Sequence, residues 1–487
     1  MSASSNMNSF FKSIGRMIRA PKGFLLGVVI CILPLTGCVS YQDQAREIHA
    51  HYHAGDFDTA QAALTRKANR KAKGKDALIW RLEEASALRV NNRLEDSTRS
   101  FEIADQMIRD FEDNSASFHL GQETLSAFSN PANITYEGWM TDRIMVSTYL
   151  GVHNIIQGNE DAARIHLNKA YQRQRDAVSK NAKSIEKEQE ELRHNNQSGK
   201  AVSDRQVNST VNSLYTDLKK LQPIADYVNP FTSYIRGLFF LYYATDSGDL
   251  DIALKSLQQA AAFAPGNSYV KQDLALAESF TNGEGALPDV TYVIFESGSA
   301  PWLEQERIDL NLPIDRGIYS FNVAFPIFIP QYGVNTLQVR SGSEVHQTQM
   351  LADMNRIFGT DFQQELPRIV ARTIATVVLR QAASIAANQA LKNTGNDTAQ
   401  ILGGLAILAA QFSVNIADTR SWTLLPQNFQ ICRIPTPQDG RLTLVDGRQN
   451  AVVNLPPGHG PNLVFVKSPG HGTTRMIIWS RKLGSDQ

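Results

Sequence analysis

Three histidines alternate near the start of the chain, His49, His51 and His53, and on a helix His49 and His53 fall on one face. Two imidazoles so placed can begin a zinc or copper site, which also needs a third ligand and partners that orient the rings. The alternative is a solvent-facing set ahead of the turn at Gly55. Asp418, Thr419, Arg420, Ser421 and Trp422 form the one polar cluster that invites a catalytic reading. Asp418 can cap a turn, Arg420 can pair with a carboxylate and Trp422 can begin a strand. The neighbouring sequence supplies neither a base nor an electrophile stabiliser, so a structural role is expected. Residues 469–474 follow an expected strand as a phosphate loop would, but lack the Gly-Lys-Ser/Thr ending and lead into another strand. Ser297-Gly298-Ser299 lacks the strand-turn-helix setting of a hydrolase elbow. No zinc-protease motif or dinucleotide fingerprint occurs, so no catalytic residue, cofactor or metal site is assigned and the chain is expected not to be an enzyme.

Cys38 has a more definite chemistry. Lys12, Arg16, Arg19 and Lys22 give a basic start without a carboxylate, and residues 23–35 are an apolar run. That run is too short to span a bilayer, which takes roughly 20 residues, and it has the layout of an export signal. It ends in Leu35-Thr36-Gly37-Cys38, which resembles the lipobox of bacterial lipoproteins. The resemblance implies cleavage between Gly37 and Cys38, a diacylglyceryl thioether on Cys38, and acylation of the freed amine by a chain such as palmitate. An ordinary secretory signal or an uncleaved anchor is the bland alternative. The resemblance further implies sorting to the outer membrane, facing the periplasm, because Val39 and Ser40 rather than aspartate follow the cysteine.

Cysteine and charge agree with export. Cys31 leaves with the signal and Cys38 carries lipid, so Cys432 alone remains and no internal disulfide can form. Four of the 48 basic residues and none of the 48 acidic ones lie in the signal, leaving 44 against 48. That balance gives no footprint for nucleic acid.

The first half must position these groups through helices. Four segments share a spacing in which a turn residue is followed by a small residue, a bulky apolar one and usually an alanine. They are Gly55, Ala60, Leu64 (Lys67 misses the last slot); Asn92, Ser97, Phe101, Ala104; Gly158, Ala163, Leu167, Ala170; and Gly248, Ala253, Leu257, Ala260. The spacing resembles the second helix of a tetratricopeptide (TPR) repeat, whose small residues let two helices approach closely; an amphipathic bundle without repeat geometry is the alternative. Val178, Ala182, Ile185 and Leu192, then Val207, Val211, Leu214, Leu218 and Leu221, predict a coiled-coil-like hairpin at about 176–226. It is either a partner-reaching arm or a solvated extension of the repeat helices.

After Pro288 the pattern changes to short β-rich runs at 291–296, 319–329, 336–340, 429–434, 441–445, 451–454, 463–467 and 474–479, which suggest a sandwich. Helices are expected at 344–393 and 398–417, an insertion at about 344–417. Residues 401–410 are apolar around the whole helix, hence buried or in lipid but too short to span. The 366–412 hairpin either packs on the sheet, dips into a leaflet or seals a partner groove.

The expected fold class is α+β: signal 1–37, lipidated tether 38–42, TPR-like helical domain 43–284, and β-rich domain 285–487. The segments from Tyr136-Glu137-Gly138 to Tyr149-Leu150-Gly151, Asn229-Pro230-Phe231 with Gly237-Leu238-Phe239-Phe240, Leu351-Ala352-Asp353-Met354, and Ala417-Asp418-Thr419-Arg420-Ser421-Trp422 with Leu425-Pro426 are similar to those of a poorly characterised family of Gram-negative TPR-containing lipoproteins. The likeness spans most of 40–445. It implies work in cell-envelope biogenesis or maintenance, with envelope protein partners, including other lipoproteins or cell-wall synthesis factors, and contact with membrane through the lipid. On that footing the chain is expected to be a protein-binding scaffold, with Tyr149 and Tyr234 in a partner groove. An envelope enzyme acting on peptidoglycan or glycan, or an accessory of a transport or assembly machine, are the alternatives.

Overall fold

Short polar turns start and stop the helices of the first half. Asp56 caps α2 (Phe57–Arg70) by accepting from the Thr59 amide, which joins it closely to α1 (Tyr41–His53). Helices α3 (Ala77–Val90), α4 (Leu94–Ser126), α5 (Met140–Gln157) and α6 (Glu160–Asp176) follow. Gly158 ends α5 at φ 79°, a left-handed conformation that suits glycine. The computed structural model describes residues 40–484, apart from 127–131, 133, 179–181, 195–197, 222, 225–226, 315–316, 334, 393–415, 448, 459 and 470–475.

Beyond them, Asn229 caps α10 (Pro230–Tyr242), Asp246 caps α11 (Ser247–Phe263) and Asn267 caps α12 (Ser268–Thr281), each accepting a backbone amide. The recurrent small and apolar residues lie in the seams between paired helices. Ala60, Leu64, Ser97, Phe101, Ala104, Ala163, Leu167, Ala170, Ala253, Leu257 and Ala260 are all fully buried. Two seams are tight enough to require glycine: a Cβ on Gly151 would stand 2.6 Å from the Leu167 side chain, and one on Gly237 would stand 2.6 Å from that of Leu257.

The stretch expected as one long hairpin is shorter and differently placed. It holds α7 (Ala182–His194), one turn of helix α8 (Gly199–Val202) and α9 (Arg205–Ser213). Val202, Val207, Val211 and Tyr215 share a core with the ribbon strands β2 (Trp302–Ile314) and β3 (Gly317–Ile329) and with α13 (Met354–Lys392). The apolar residues find their partner in the later chain, in α13 and the β2/β3 ribbon, and not in a second arm of one hairpin.

The central sheet orders β11 (Ile477–Lys482), β10 (Asn462–Ser468), β1 (Val290–Ser297), β7 (Asn428–Pro435) and β6 (Gln349–Asp353). A four-stranded sheet orders β5 (Glu344–Gln347), β4 (Gln338–Ser341), β8 (Arg441–Asp446) and β9 (Gln449–Asn454). Alternation assigns the faces. Tyr292, Ile294, Phe429, Ile431, Leu463 and Phe465 pack on the helices. Val293, Phe295, Cys432, Ile434, Val464 and Val466 pack on Leu337, Val339, Leu442 and Leu444 of the second sheet. Helices, central sheet and outer sheet therefore form three layers.

Three sequence expectations change. Residues 344–353 are strands rather than the start of a helix, because β4 and β7 offer edges to pair with. Strand β2 was not foreseen, since Glu304, Gln305, Glu306 and Arg307 hide its one-sided apolar pattern. The 284/285 boundary marks a change of secondary structure and not of core: α3, α5 and α10 share one apolar cluster with β1, β7 and β10. Much of the expected helix at 398–417, and with it part of the 366–412 hairpin, lies outside the described residues. Among the described residues no helix is long and apolar enough to cross a membrane.

The seam geometry reverses the usual helix rule. Glycine to alanine inside a helix normally stabilises by about 0.5–1 kcal/mol, but Gly237→Ala overpacks Leu257 and should cost ~1–3 kcal/mol in urea unfolding. Gly266→Ala, with nothing within 4 Å of its new methyl, should leave the midpoint close to wild type.

Candidate functional site: a buried polar seam between helices and sheet

Charged residues occupy inward positions where helices meet the central sheet. Glu296 follows Tyr292 and Ile294 on the helix-facing side of β1, and Lys467 follows Leu463 and Phe465 on β10. Arg89, in the last turn of α3, reaches Glu296 with two bonds of 2.6 Å. Tyr149 of α5 donates to the same carboxylate at 3.1 Å, and the Lys467 ammonium lies 3.7 Å away. Tyr149 and Trp479 flank the guanidinium at 4.8 and 4.6 Å. Burial pushes Glu296 upward, but Arg89 and Lys467 outweigh it and hold the carboxyl below its usual range. Lys467 is pushed down to about 8 by burial, against the pull of Glu296.

The 417–425 segment forms a second knot. The Arg420 amide donates to Asp418 at 3.1 Å, closing a turn, and its guanidinium bonds Asp418 at 2.8 and 2.5 Å. It also reaches Asp76 at 2.9 Å, ahead of α3. Burial works against the Arg420 charge, but Asp418 and Asp76 raise its pKa above the usual arginine range. Trp139 donates to the Arg420 carbonyl at 2.9 Å and Trp422 to Ser86 at 2.9 Å. Thr419 and Ser421 are buried. Trp422 lies in a turn segment rather than starting a strand, which begins at Asn428. The motif fastens the chain ahead of β7 onto α3.

Three buried acids surround this fastening. Glu83 accepts from the Thr423 amide and hydroxyl at 2.9 Å each and from Tyr41 at 3.3 Å; burial still pushes it up to about 8. Asp142 accepts from the Tyr136 hydroxyl and the Trp139 amide, and burial raises it to about 7. Asp361 accepts from the Thr141 amide at 2.7 Å and burial raises it to about 7. A cavity of about 10 Å³ lies between Asp142, Thr141, Ser421, Trp422, Met354 and Phe358. That is room for about one water. The arrangement can store protons and hold elements together; its acids face packed protein.

The sequence-singled residues fall as follows. Tyr149 and Tyr234 do not line a groove. Both are core residues, because the sheet and the 417–425 segment cover the helix face that carries them. Tyr234 donates to Asp273 at 2.6 Å in a knot with Tyr292, Tyr242 and Arg433. His49 faces Thr423 at 3.3 Å and Glu83 at 3.7 Å, and burial lowers it to about 4. His51 pairs with Asp56 at 2.9 Å, while His53 lies edge-on to Tyr52. Among the described residues no group of three or more His, Cys, Asp or Glu is placed to hold a metal ion. Ser297 ends β1, and Ser299 donates to the Pro469 carbonyl at 3.1 Å. Gly37, Cys38 and most of the 469–474 loop lie outside the described residues. Arg89, Glu296, Lys467, Glu83, Asp142 and Asp361 were not anticipated. For Glu296 and Lys467 the signal was a charge at an inward register position of an otherwise apolar run, as in Val293-Ile294-Phe295-Glu296.

No family model, curated protein or solved structure matches this chain.

Arg89→Met leaves Glu296 with Lys467 as its remaining cation. It should destabilise by ~3–5 kcal/mol, the cost of breaking a buried pair, read from chemical denaturation.

The raised acids give a sign for pH. Asp142 and Asp361 bind protons more tightly folded than unfolded, so the stability they contribute is full below the ordinary carboxylate range and is lost as pH rises through about 7. From pH ~7, above the ordinary histidine value, to pH ~8, thermal stability should keep falling by about 1–2 kcal/mol in all, because Asp142 and Asp361 lose the last of their share and Glu83, pushed up to about 8, loses part of its own, with Lys467 at about 8 opposing slightly. Asp142→Asn keeps an acceptor and should flatten the slope; an unchanged slope would show that Asp142 does not titrate there.

Proposed function

We propose that this chain is an outer-membrane-anchored periplasmic lipoprotein that acts as a TPR-type protein-binding scaffold in envelope biogenesis or maintenance. One observation carries the reading: the basic start, the apolar run and Leu35-Thr36-Gly37-Cys38 stand in order, and the folded body begins within a few residues, at Tyr41. Lipid on Cys38 makes contact with a bilayer a consequence of covalent chemistry, and two or more acyl chains suffice for stable anchoring.

The close seams at Gly151 with Leu167 and Gly237 with Leu257 support repeat-type pairing of α5 with α6 and α10 with α11. Because the inner face is covered by the chain's own sheet, partner recognition falls to the outer helices. Ile103 on α4 is 43% exposed and Ile165 on α6 is 64% exposed, two apolar side chains on the second helices of their pairs.

In cells, the wild-type protein should fractionate with the outer membrane and yield an N-terminal peptide that begins at an acylated Cys38. Cys38→Ala should lose both properties. If the variant is processed and distributed like wild type, the reading fails. A photo-crosslinker at Ile165 should then capture one defined envelope protein, and Ile165→Asp should abolish its co-purification.

A further inference from the structure

A strongly basic stretch closes α2 and continues just beyond it. Residues 66–75 hold six basic residues and no acidic one: Arg66, Lys67, Arg70, Lys71, Lys73 and Lys75. The processed chain as a whole is slightly acidic, and outside this run it carries 38 basic against 48 acidic residues. Arg66, Arg70, Lys71 and Lys73 are exposed, and none of the four pairs with a carboxylate among the described residues. Asp76, next in sequence, is taken by Arg420 at 2.9 Å. Lys67 is held below the usual lysine range by burial and by the neighbouring charges of Arg70 and Lys71, as expected where positive charge is left uncompensated.

The position of this run follows from the helices. Helix α2 returns beside α1 after a short turn, so its last residues lie beside the first turn of α1. Lys67 Nζ donates to Gln44 of α1 at 3.0 Å and lies 5.5 Å from the Trp80 ring, which meets the Tyr41 ring at 4.7 Å. Only Val39 and Ser40 separate Tyr41 from Cys38. Three extended peptide steps reach about 10 Å. An acyl anchor on that sulfur therefore brings the bilayer surface to the end of the α1/α2 pair that presents the basic run.

We infer that the 66–75 run is a membrane-contacting surface that binds anionic lipid headgroups beside the anchor. The inference rests on the lipoprotein reading above. Charge complementarity identifies the ligand, and the short tether identifies its source. A lipid anchor joined to a polybasic patch is also the combination in which each strengthens the other: the acyl chains supply hydrophobic affinity, and each basic residue near an anionic surface adds a Coulombic share. Contact on two points would fix how the body stands on the membrane, which a single point of attachment does not.

The test uses the intact acylated protein, with the mass of its N-terminal peptide recorded first. It is reconstituted in vesicles of phosphatidylcholine alone or of phosphatidylcholine with phosphatidylglycerol, and its amines are labelled with an acylating reagent. Lys71 and Lys73 should react about fivefold more slowly on the anionic vesicles, the factor equivalent to ~1 kcal/mol per cation. Salt at about 1 M, which shortens screening to about 3 Å, should remove the difference. Lys255 on α11 serves as the unaffected control. Equal labelling on both vesicles, with Cys38 acylated, overturns the inference and leaves the anchor standing. Protection by a DNA duplex but not by anionic vesicles also overturns it. An unacylated N-terminus removes the anchor reading itself, and the inference with it.

Discussion

Arg89 and Glu296 stand 207 residues apart in sequence and meet in the interior through two charged hydrogen bonds. Removing either ion from water costs several kcal/mol, which is offset only if the pair keeps close, doubly bonded geometry. That requirement fixes α3 against β1. It reaches further through the groups that complete the site: Tyr149 brings in α5, Lys467 brings in β10, and Trp479 brings in β11 while donating to Asn92 at 2.9 Å beyond the end of α3. Buried charge of this kind gives little net stability, but it makes other registers of helix on sheet expensive. An apolar core alone would tolerate some sliding.

The same contacts explain why, among the described residues, the helix faces turned toward the sheet are covered. Helices α3, α5 and α10 are buried nearly all round, with a second helix on one side and the sheet or the 417–425 segment on the other. Arg420 with Asp418 and Asp76, and Trp422 with Ser86, hold that segment in place. The helices thus serve the rest of the chain as a cradle.

Most elements could be named from residue patterns, since caps, apolar periods and β-branched runs are local. The eight expected strands all have counterparts, and the small residues of the repeat spacing do sit in helix seams. What the pattern could not reveal was pairing at a distance. Residues 344–353 have no strong local strand signal and become strands because edges are available. Tyr149 and Tyr234 look like groove residues on an isolated array, and only the later chain turns them into core. Arg420 was legible as a carboxylate partner because Asp418 stands two residues away; Asp76 was not, being 344 residues distant. The net charge, nearly balanced, concealed a local concentration of lysine and arginine.

Strand β1 is buried on both faces and bounded on both edges, antiparallel to β7 on one side and parallel to β10 on the other. The parallel partner, Asn462–Ser468, arrives more than 160 residues after β1. Until it does, a strand destined for burial on both faces has an open edge, ready to template with any other extended chain. Closing so long a loop is slow in comparison with the helix pairs, whose contacts are near in sequence. The polypeptide therefore passes through a stage of finished helices around an unfinished sheet, with that edge exposed until the last strands of the chain arrive.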